Sequence, residues 1–264
     1  MATTSIFSGS AIILAISIFG LTFFNKNLTL WGAILASSII AFLSFFSLWS
    51  MLILLLATYA SLIIIDQLTK KRRQQIDNNV NNKVGPRTIV QVLANGLVAI
   101  LMAALYIMTG SRLFMIAYAV GIGSSFVDCI ASNIGVLSRR MPRDICTWKQ
   151  ISTGLSGGVS ALGLIASFIA SALFGVIAYV CISISFYEML IIILFSILNC
   201  IVDSILGSRI QAKYQCVICN TQTEKNTHCN APTKHTKGFQ IVDNCVVNFL
   251  SNIFVVFIFI IWFA

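Results

Sequence analysis

Eight long apolar runs, separated by loops that hold nearly all of the charge, constrain this chain more than any motif in it. They fall at about 8–24, 30–46, 47–66, 89–109, 112–134, 157–181, 186–207 and 245–264. A helix needs ~20 mainly apolar residues to cross the ~30 Å hydrocarbon core of a bilayer, and lipid offers no partner to an unpaired backbone amide. The expected fold is all-α, a polytopic transmembrane bundle of about eight spans. The run from Leu30 to Ile65 is too long for one crossing, so a tight turn is expected near Phe45–Ser47. Composition agrees: 58% of the 264 residues are hydrophobic and only 9% charged, with a mean hydropathy of +0.93. A soluble domain carries about 25% charged residues. Met1–Ser5 has no positive region and no cleavage site follows it, so the first run reads as a span rather than a signal peptide.

Loop charge orients the spans, because Lys and Arg are retained on the cytoplasmic side. With eight spans, 16 of the 17 basic residues fall on one side and Arg112 alone on the other. Both termini are then expected outside, in a multi-pass protein of the cell membrane if the source is prokaryotic. The net charge of +9 is thereby a topogenic signal and not the footprint of a nucleic-acid partner. Three sections follow: a three-span part at 1–69, a basic cytosolic linker at 70–88, and a five-span, catalytic-type membrane domain at 89–264 with cytosolic loops 135–156 and 208–244. The Asn/Gln/Lys/Arg-rich stretch Lys70–Asn82 reads as flexible, and its Lys-Lys-Arg-Arg cluster would attract anionic headgroups.

Polar residues inside spans are costly, so their placement is informative. Gln91 and Asn95, then Ser125, Asp128 and Ser132, then Asn199 and Asp203, then Asn244, Asn248 and Asn252 all fall at the cytosolic ends of their spans. The sixth span opens there with Thr153-Gly154-Leu155-Ser156-Gly157-Gly158-Val159-Ser160. Free N–H groups at a helix start, approached over glycines, suit an anion; small residues also simply let helices pack. Arg139, Arg140, Arg143 and Lys149 in the adjoining loop favour the anion. Asp128 and Asp203 are the acidic residues most clearly embedded in apolar runs, and two carboxylates beside a phosphate pocket are what a Mg²⁺-nucleotide site requires. The alternative is that each Asp caps or cross-links helices. Asp66 with Lys70 reads as an interfacial i,i+4 pair, and Glu188 on the far side has no evident partner.

Of eight cysteines, Cys129, Cys181, Cys200 and Cys245 lie in or at spans and read as small apolar residues. The last loop differs. Cys216-Val-Ile-Cys219 is followed by His228-Cys229 and then His235, so Cys216, Cys219 and Cys229 with one of the two histidines, His235 being preferred, would make a tetrahedral Zn²⁺ site. Such a knuckle would pin a polar loop that has few apolar residues for a core. No GxxxxGK[ST], HExxH, GxSxG or dinucleotide GxGxxG appears, and two histidines are too few to favour His-based general-base chemistry in the bilayer.

Several stretches in order then resemble a known family: Gln91-Val-Leu-Ala-Asn95-Gly96, Asp128-Cys-Ile-Ala-Ser132-Asn-Ile-Gly135, Pro142-Arg-Asp-Ile-Cys-Thr147-Trp148, Gly154-Leu-Ser-Gly157-Gly158-Val-Ser160, Asp203-Ser-Ile-Leu-Gly207, the CxxC…HC loop and Asn244…Asn248. Over about residues 85–264 the chain is similar to the integral membrane proteins grouped as domain of unknown function 92, the transmembrane protein 19 family, which includes plant phytyl-phosphate kinase. More distantly it looks like the CTP-using dolichol kinases and phosphatidate cytidylyltransferases. The family pattern has an acidic residue where Asn133 follows Ser132, and Pro-x-Gly-Thr before the Gly-Gly where this chain has Ser152-Thr153-Gly154-Leu155.

The resemblance implies a membrane-embedded, Mg²⁺-dependent kinase passing a phosphate from CTP or ATP to a phytyl or other isoprenoid monophosphate. On that reading Asp128 and Asp203 hold Mg²⁺, Lys149, Arg139 and the turn from Gly154 through Ser156, Gly157 and Gly158 to Ser160 cradle phosphate, and Asn95, Asn199 and Asn248 orient it. Phosphoryl transfer needs mainly positioning and charge neutralisation, and an already anionic nucleophile needs no strong base. The alternatives are a lipid-phosphate carrier or scramblase, and a CTP-dependent cytidylyltransferase.

Overall fold

The protein is described by a computed structural model, which covers the backbone of residues 2–77, 80 and 85–264 and the side chains of 12–71, 80 and 85–264. Its helices are α1 (Ala2–Phe24), α2 (Leu30–Phe45), α3 (Trp49–Asp77), α4 (Ile89–Thr109), α5 (Arg112–Gly135), α6 (Ala161–Cys181), α7 (Phe186–Arg209) and α8 (Asn244–Phe263). Among the described residues six helices, α3 to α8, are long and apolar enough to cross a membrane. Leu30–Phe45 is apolar but shorter, and Ile12–Phe24, the part of α1 whose side chains are described, is apolar as well. At ~1.5 Å per residue the 16 residues of α2 reach about 24 Å, less than the ~30 Å core. Large apolar side chains such as Phe168, Val180 and Trp262 stand exposed around the bundle, as a lipid-facing surface requires.

The turn falls where it is expected, near Phe45–Ser47, with Ser47 in a left-handed backbone at φ of 56° and Leu48 N–H donating to Leu43 O. Two boundaries depart from the sequence reading. Helix α3 continues to Asp77, so the part of the expected flexible linker from Lys70 to Asp77 is helical; its side chains from Arg72 on lie outside the described residues. Helix α6 starts at Ala161 and not at 157, because Ser160 caps it by accepting from Gly163 N–H at 3.1 Å, which leaves the glycines outside the helix.

Helix α5 is the axis of the bundle and packs on α3, α4, α6, α7 and α8. Its middle, Ala117 to Ser124, is rich in small residues, and lipid-embedded helices approach closely through such faces. A Cβ on Gly123 would lie 2.5 Å from Ser196 Oγ and 2.6 Å from the buried Phe174 ring. Tyr118, fully buried, donates from its hydroxyl to Met51 O at 2.8 Å and so ties the N-terminal helices to the rest.

The far end of the bundle is closed by an ion pair. Arg112 donates to both Glu188 carboxylate oxygens at 2.7 Å and to Ser183 O at 3.2 Å, while Glu188 also completes a capping box with Ser185. Glu188 therefore has the partner that the sequence did not reveal, Arg112.

The opposite, basic end carries the strands. β1 (Arg143–Asp144) pairs antiparallel with β2 (Gly158–Val159). β3 (Lys213–Cys216), β4 (Gln222–Thr223), β5 (Thr227–His228) and β6 (Ala231–Lys237) form an antiparallel sheet in the order β4-β3-β6-β5. The last loop is thus a small sheet in an otherwise helical protein.

Candidate functional site

A cavity of about 830 Å³ opens between the helices at the basic end. Asp66 reaches its wall from α3, Gln91 and Asn95 from α4, Asp128 and Asn133 from α5, Asp203 from α7, and Asn248 from α8. The wall also includes Lys26, Lys70 and Arg87, and the whole segment from Thr153 to Ser160. Three of the eight acidic residues of the chain therefore meet in one half-buried site. Leu62 and Ile63 of α3, Leu164 and Phe168 of α6 and Ile201 of α7 give it an apolar flank. Phe168 is 59% exposed on the outer surface of the bundle, so the flank is continuous with the lipid-facing side.

Hydrogen bonds fix the polar wall. The Asn248 amide has one terminus 3.2 Å from Asp203 Oδ2 and the other 3.3 Å from Asn95 Oδ1. With its nitrogen turned to the carboxylate, it donates to Asp203 and to Asn244 O at 2.9 Å. Ser251 donates to the same Asp203 oxygen at 3.2 Å, so α8 holds the carboxylate of α7. Asn95 donates to Gln91 O, and its own carbonyl accepts from Ser125, which links α4 to α5 beside Asp128.

Two residues that sequence reasoning left aside complete the wall. The segment before α4 pairs with the α1–α2 loop, Thr29 N–H donating to Arg87 O at 3.0 Å and Arg87 N–H to Asn27 O at 2.9 Å. This pairing delivers Arg87 to Asp66, at 2.7 Å. Asn133, buried, donates to the other Asp66 oxygen at 2.6 Å. Asp66 is thus joined to partners far along the chain as well as standing one turn from Lys70. The only advance signal for it was a carboxylate at the end of an apolar run.

The glycine turn is pressed onto the end of α7. Gly154 and Gly157 have φ of 97° and 83°, and a Cβ on Gly157 would lie 2.6 Å from the Ser208 backbone. Gly157 and Gly207 thus serve close packing, which is one of the two roles the sequence left open, and Gly157 also lines the cavity together with Gly154, Ser156, Gly158 and Ser160. Ser156 N–H donates to Glu224 Oε1 at 2.7 Å and is therefore already occupied.

Some expected site residues stand elsewhere. Lys149 and Arg139 are exposed on the loop surface and are not part of the cavity wall; sequence proximity to the glycines did not carry them there, and among the described residues Lys26, Lys70 and Arg87 are the cations that line it. Asn199 is buried between α7 and α5, donating to Ser124 O at 3.4 Å, so it packs helices and does not face the cavity. His235 lies across the sheet against Tyr214, with ring centroids 5.4 Å apart, because the β3–β6 register pairs those two residues. His228 instead joins Cys216, Cys219 and Cys229.

Asp144 anchors the loop beneath the turn. It is buried and accepts from Ser208 Oγ at 2.8 Å and from the Cys146 and Thr147 amides. Burial disfavours its charge, but these donors, Ser208 first, outweigh burial and hold its carboxyl below the ordinary value. Lys213 Nζ is 3.9 Å away; burial and then neighbouring Lys237 lower its pKa despite that carboxylate.

Apolar helices with a polar, carboxylate-lined cavity at one end define an integral membrane protein with a site at its surface. The chain belongs to the family described as Integral membrane protein DUF92, whose profile matches residues 12–256. It is 30% identical over 226 residues to Protein PGR of Arabidopsis thaliana, covering 73% of this chain and 77% of that protein. It is also 32% identical over 149 residues to an uncharacterized membrane protein of Methanocaldococcus jannaschii; that match takes in 55% of this chain and 60% of the archaeal protein's length. No solved structure matches.

Proposed function

We propose that this protein is a kinase that transfers the terminal phosphate of a nucleoside triphosphate, CTP or ATP, to an isoprenoid monophosphate. The single observation that carries the reading is the cavity itself, which joins Asp128 and Asp203 to a glycine turn and cations on one side and to an apolar, lipid-continuous flank on the other. A prenyl tail fits the flank formed by Leu164, Phe168 and Ile201, and its phosphate would then lie among the polar groups. All donors offered by the carboxylates and amides of this wall are hard oxygens, which suits Mg²⁺. Asp128 and Asp203 would hold it, and it would neutralise charge on the transferring group.

The chain's own residues do the rest. Asn248 and Ser251 fix the Asp203 carboxylate, and Arg87 and Lys70 of the same wall would offset phosphate charge. An oxygen of the prenyl monophosphate attacks the terminal phosphorus, the bond to the nucleoside diphosphate breaks, and the diphosphate leaves as the donor's product. A dianionic phosphate needs no base to remove a proton. Transporters place such polar groups near the bilayer midplane, whereas here they gather at one end, which favours surface chemistry over a carrier.

Purified protein with Mg²⁺, CTP or ATP, and phytyl, farnesyl or geranylgeranyl phosphate is expected to yield the prenyl diphosphate and nucleoside diphosphate. Release of pyrophosphate would mark a cytidylyltransferase instead. No product with any pair would remove the proposal's support.

A further inference from the structure

We propose that Cys216, Cys219, His228 and Cys229 bind one Zn²⁺, and that the sheet pinned by this metal positions the glycine turn through Glu224. The ligand atoms of these four residues all lie within 4.8 Å of one another. Cys219 and Cys229 sulfurs are 3.8 Å apart, and His228 Nδ1 is 3.4 Å from the first and 3.2 Å from the second. A tetrahedral sphere with Zn–S of ~2.3 Å and Zn–N of ~2.05 Å has S···S edges of about 3.8 Å and S···N edges of about 3.5 Å. Three of the six edges thus stand at tetrahedral length, and Cys216 Sγ lies within 4.8 Å of the other three ligand atoms. Ile218 N–H also donates to Cys216 Sγ at 3.4 Å, the kind of amide bond that steadies a thiolate ligand.

The backbone is shaped for the same purpose. Cys216 ends β3 and Cys219 lies in the turn to β4, while His228 ends β5 and Cys229 lies in the turn to β6. Asn220, Cys229 and Asn230 all take left-handed conformations, with φ of 57°, 53° and 58°, to form those turns. Asn adopts this geometry readily, but Cys229 holds it only where something over-determines it. An apolar core does not, since between residues 213 and 237 only Tyr214 and Cys216 are buried apolar side chains, while Val217 and Ile218 are about 60% exposed. A small sheet without a core depends on a staple, and metal binding then becomes folding free energy.

Glu224 links the sheet to the cavity wall. Thr223 Oγ1 and Glu224 N–H both donate to Val80 O at 2.7 Å, and the Glu224 carboxylate accepts from Ser156 N–H in the glycine turn at 2.7 Å. Val80 packs on Leu155 of the same turn. Glu224 is accordingly a positioning residue, acting on the turn and not on a ligand. The inference does not rest on the kinase reading.

The test uses the full-length protein in detergent. Elemental analysis is expected to give about one zinc per chain, falling to below about a fifth in His228→Ala and in the Cys219→Ser/Cys229→Ser double variant, with His235→Ala unchanged. Replacement by Co²⁺ is expected to give the visible absorption of a tetrahedral thiolate site. In hydrogen exchange, chelation is expected to speed the amides of 213–237 and of Ser156, leaving α4 and α5 unaffected. Glu224→Ala is expected to keep the zinc yet raise Ser156 exchange by at least about tenfold. Metal-free protein with free or disulfide-bonded Cys219 and Cys229, or zinc that survives the His228 substitution, would overturn the site. Unchanged Ser156 exchange in Glu224→Ala would overturn the coupling.

Discussion

The two ends of the bundle handle charge in opposite ways. At the far end a single carboxylate, Glu188, accepts from Arg112 and from its own helix cap, and its charge is used up in closing a turn. At the basic end carboxylates from α3, α5 and α7 converge on a cavity wall beside lysines and an arginine. The first arrangement is complete without a ligand. The second concentrates charge where lipid would penalise it, which is the pattern of an intramembrane functional site.

Substitution at the two ends should separate these roles. Asp128→Ala or Asp203→Ala is expected to lower prenyl-diphosphate formation by at least about a hundredfold, the scale of losing a key electrostatic group, while Arg112→Ala leaves the rate within about threefold. Equal losses in a transfer assay would erase the distinction between the ends. Between them, Gly123→Leu is expected to abolish the monodisperse folded protein seen by size exclusion, because the added side chain meets Phe174 and Ser196. Gly96→Ala, with nothing within 4 Å of the added carbon, is expected to be neutral or to stabilise by up to about 1 kcal/mol in a thermal melt.

A smaller effect tests the Asp66 cluster. Asn133→Glu sets a carboxylate beside Asp66, where the amide now donates at 2.6 Å, and like charges there are expected to lower thermal stability. Adding Asp66→Asn should restore most of the loss; if it does not, the pairing is not the cause. The smallest effect lies in the loop. Asp144 has a folded pKa below its ordinary value of 3.8, so its contribution is fully present above that value and is lost as pH falls toward the folded one. Asp144→Asn is expected to flatten the acid limb of the stability curve below about pH 4.

Much of the helical frame was legible because lipid demands long apolar runs, and the helix starts at Leu30, Ile89, Arg112 and Phe186 fall where hydropathy put them. Helix α3 outran its apolar stretch because a helix need not end where the bilayer does. Asp128 and Asp203 could be singled out because acidic residues are scarce. Arg87 could not, since its place depends on strand-like pairing with the α1–α2 loop, a tertiary contact without local signature. Lys149 and Arg139 show the converse: they neighbour the glycines in the chain, yet both stand exposed outside the cavity wall. His228 and His235 could not be distinguished by spacing, because only the register of β6 against β3 decides which one faces the thiols.

The most direct measurement of the central claim is Mn²⁺ binding, followed by electron paramagnetic resonance in the presence of nucleotide, on the wild type, on an Asp128→Asn/Asp203→Asn variant and on Glu188→Gln. The account expects one site that survives Glu188→Gln and weakens by at least about a hundredfold in the double variant. Binding that is unchanged when both carboxylates of the basic end are removed would contradict it.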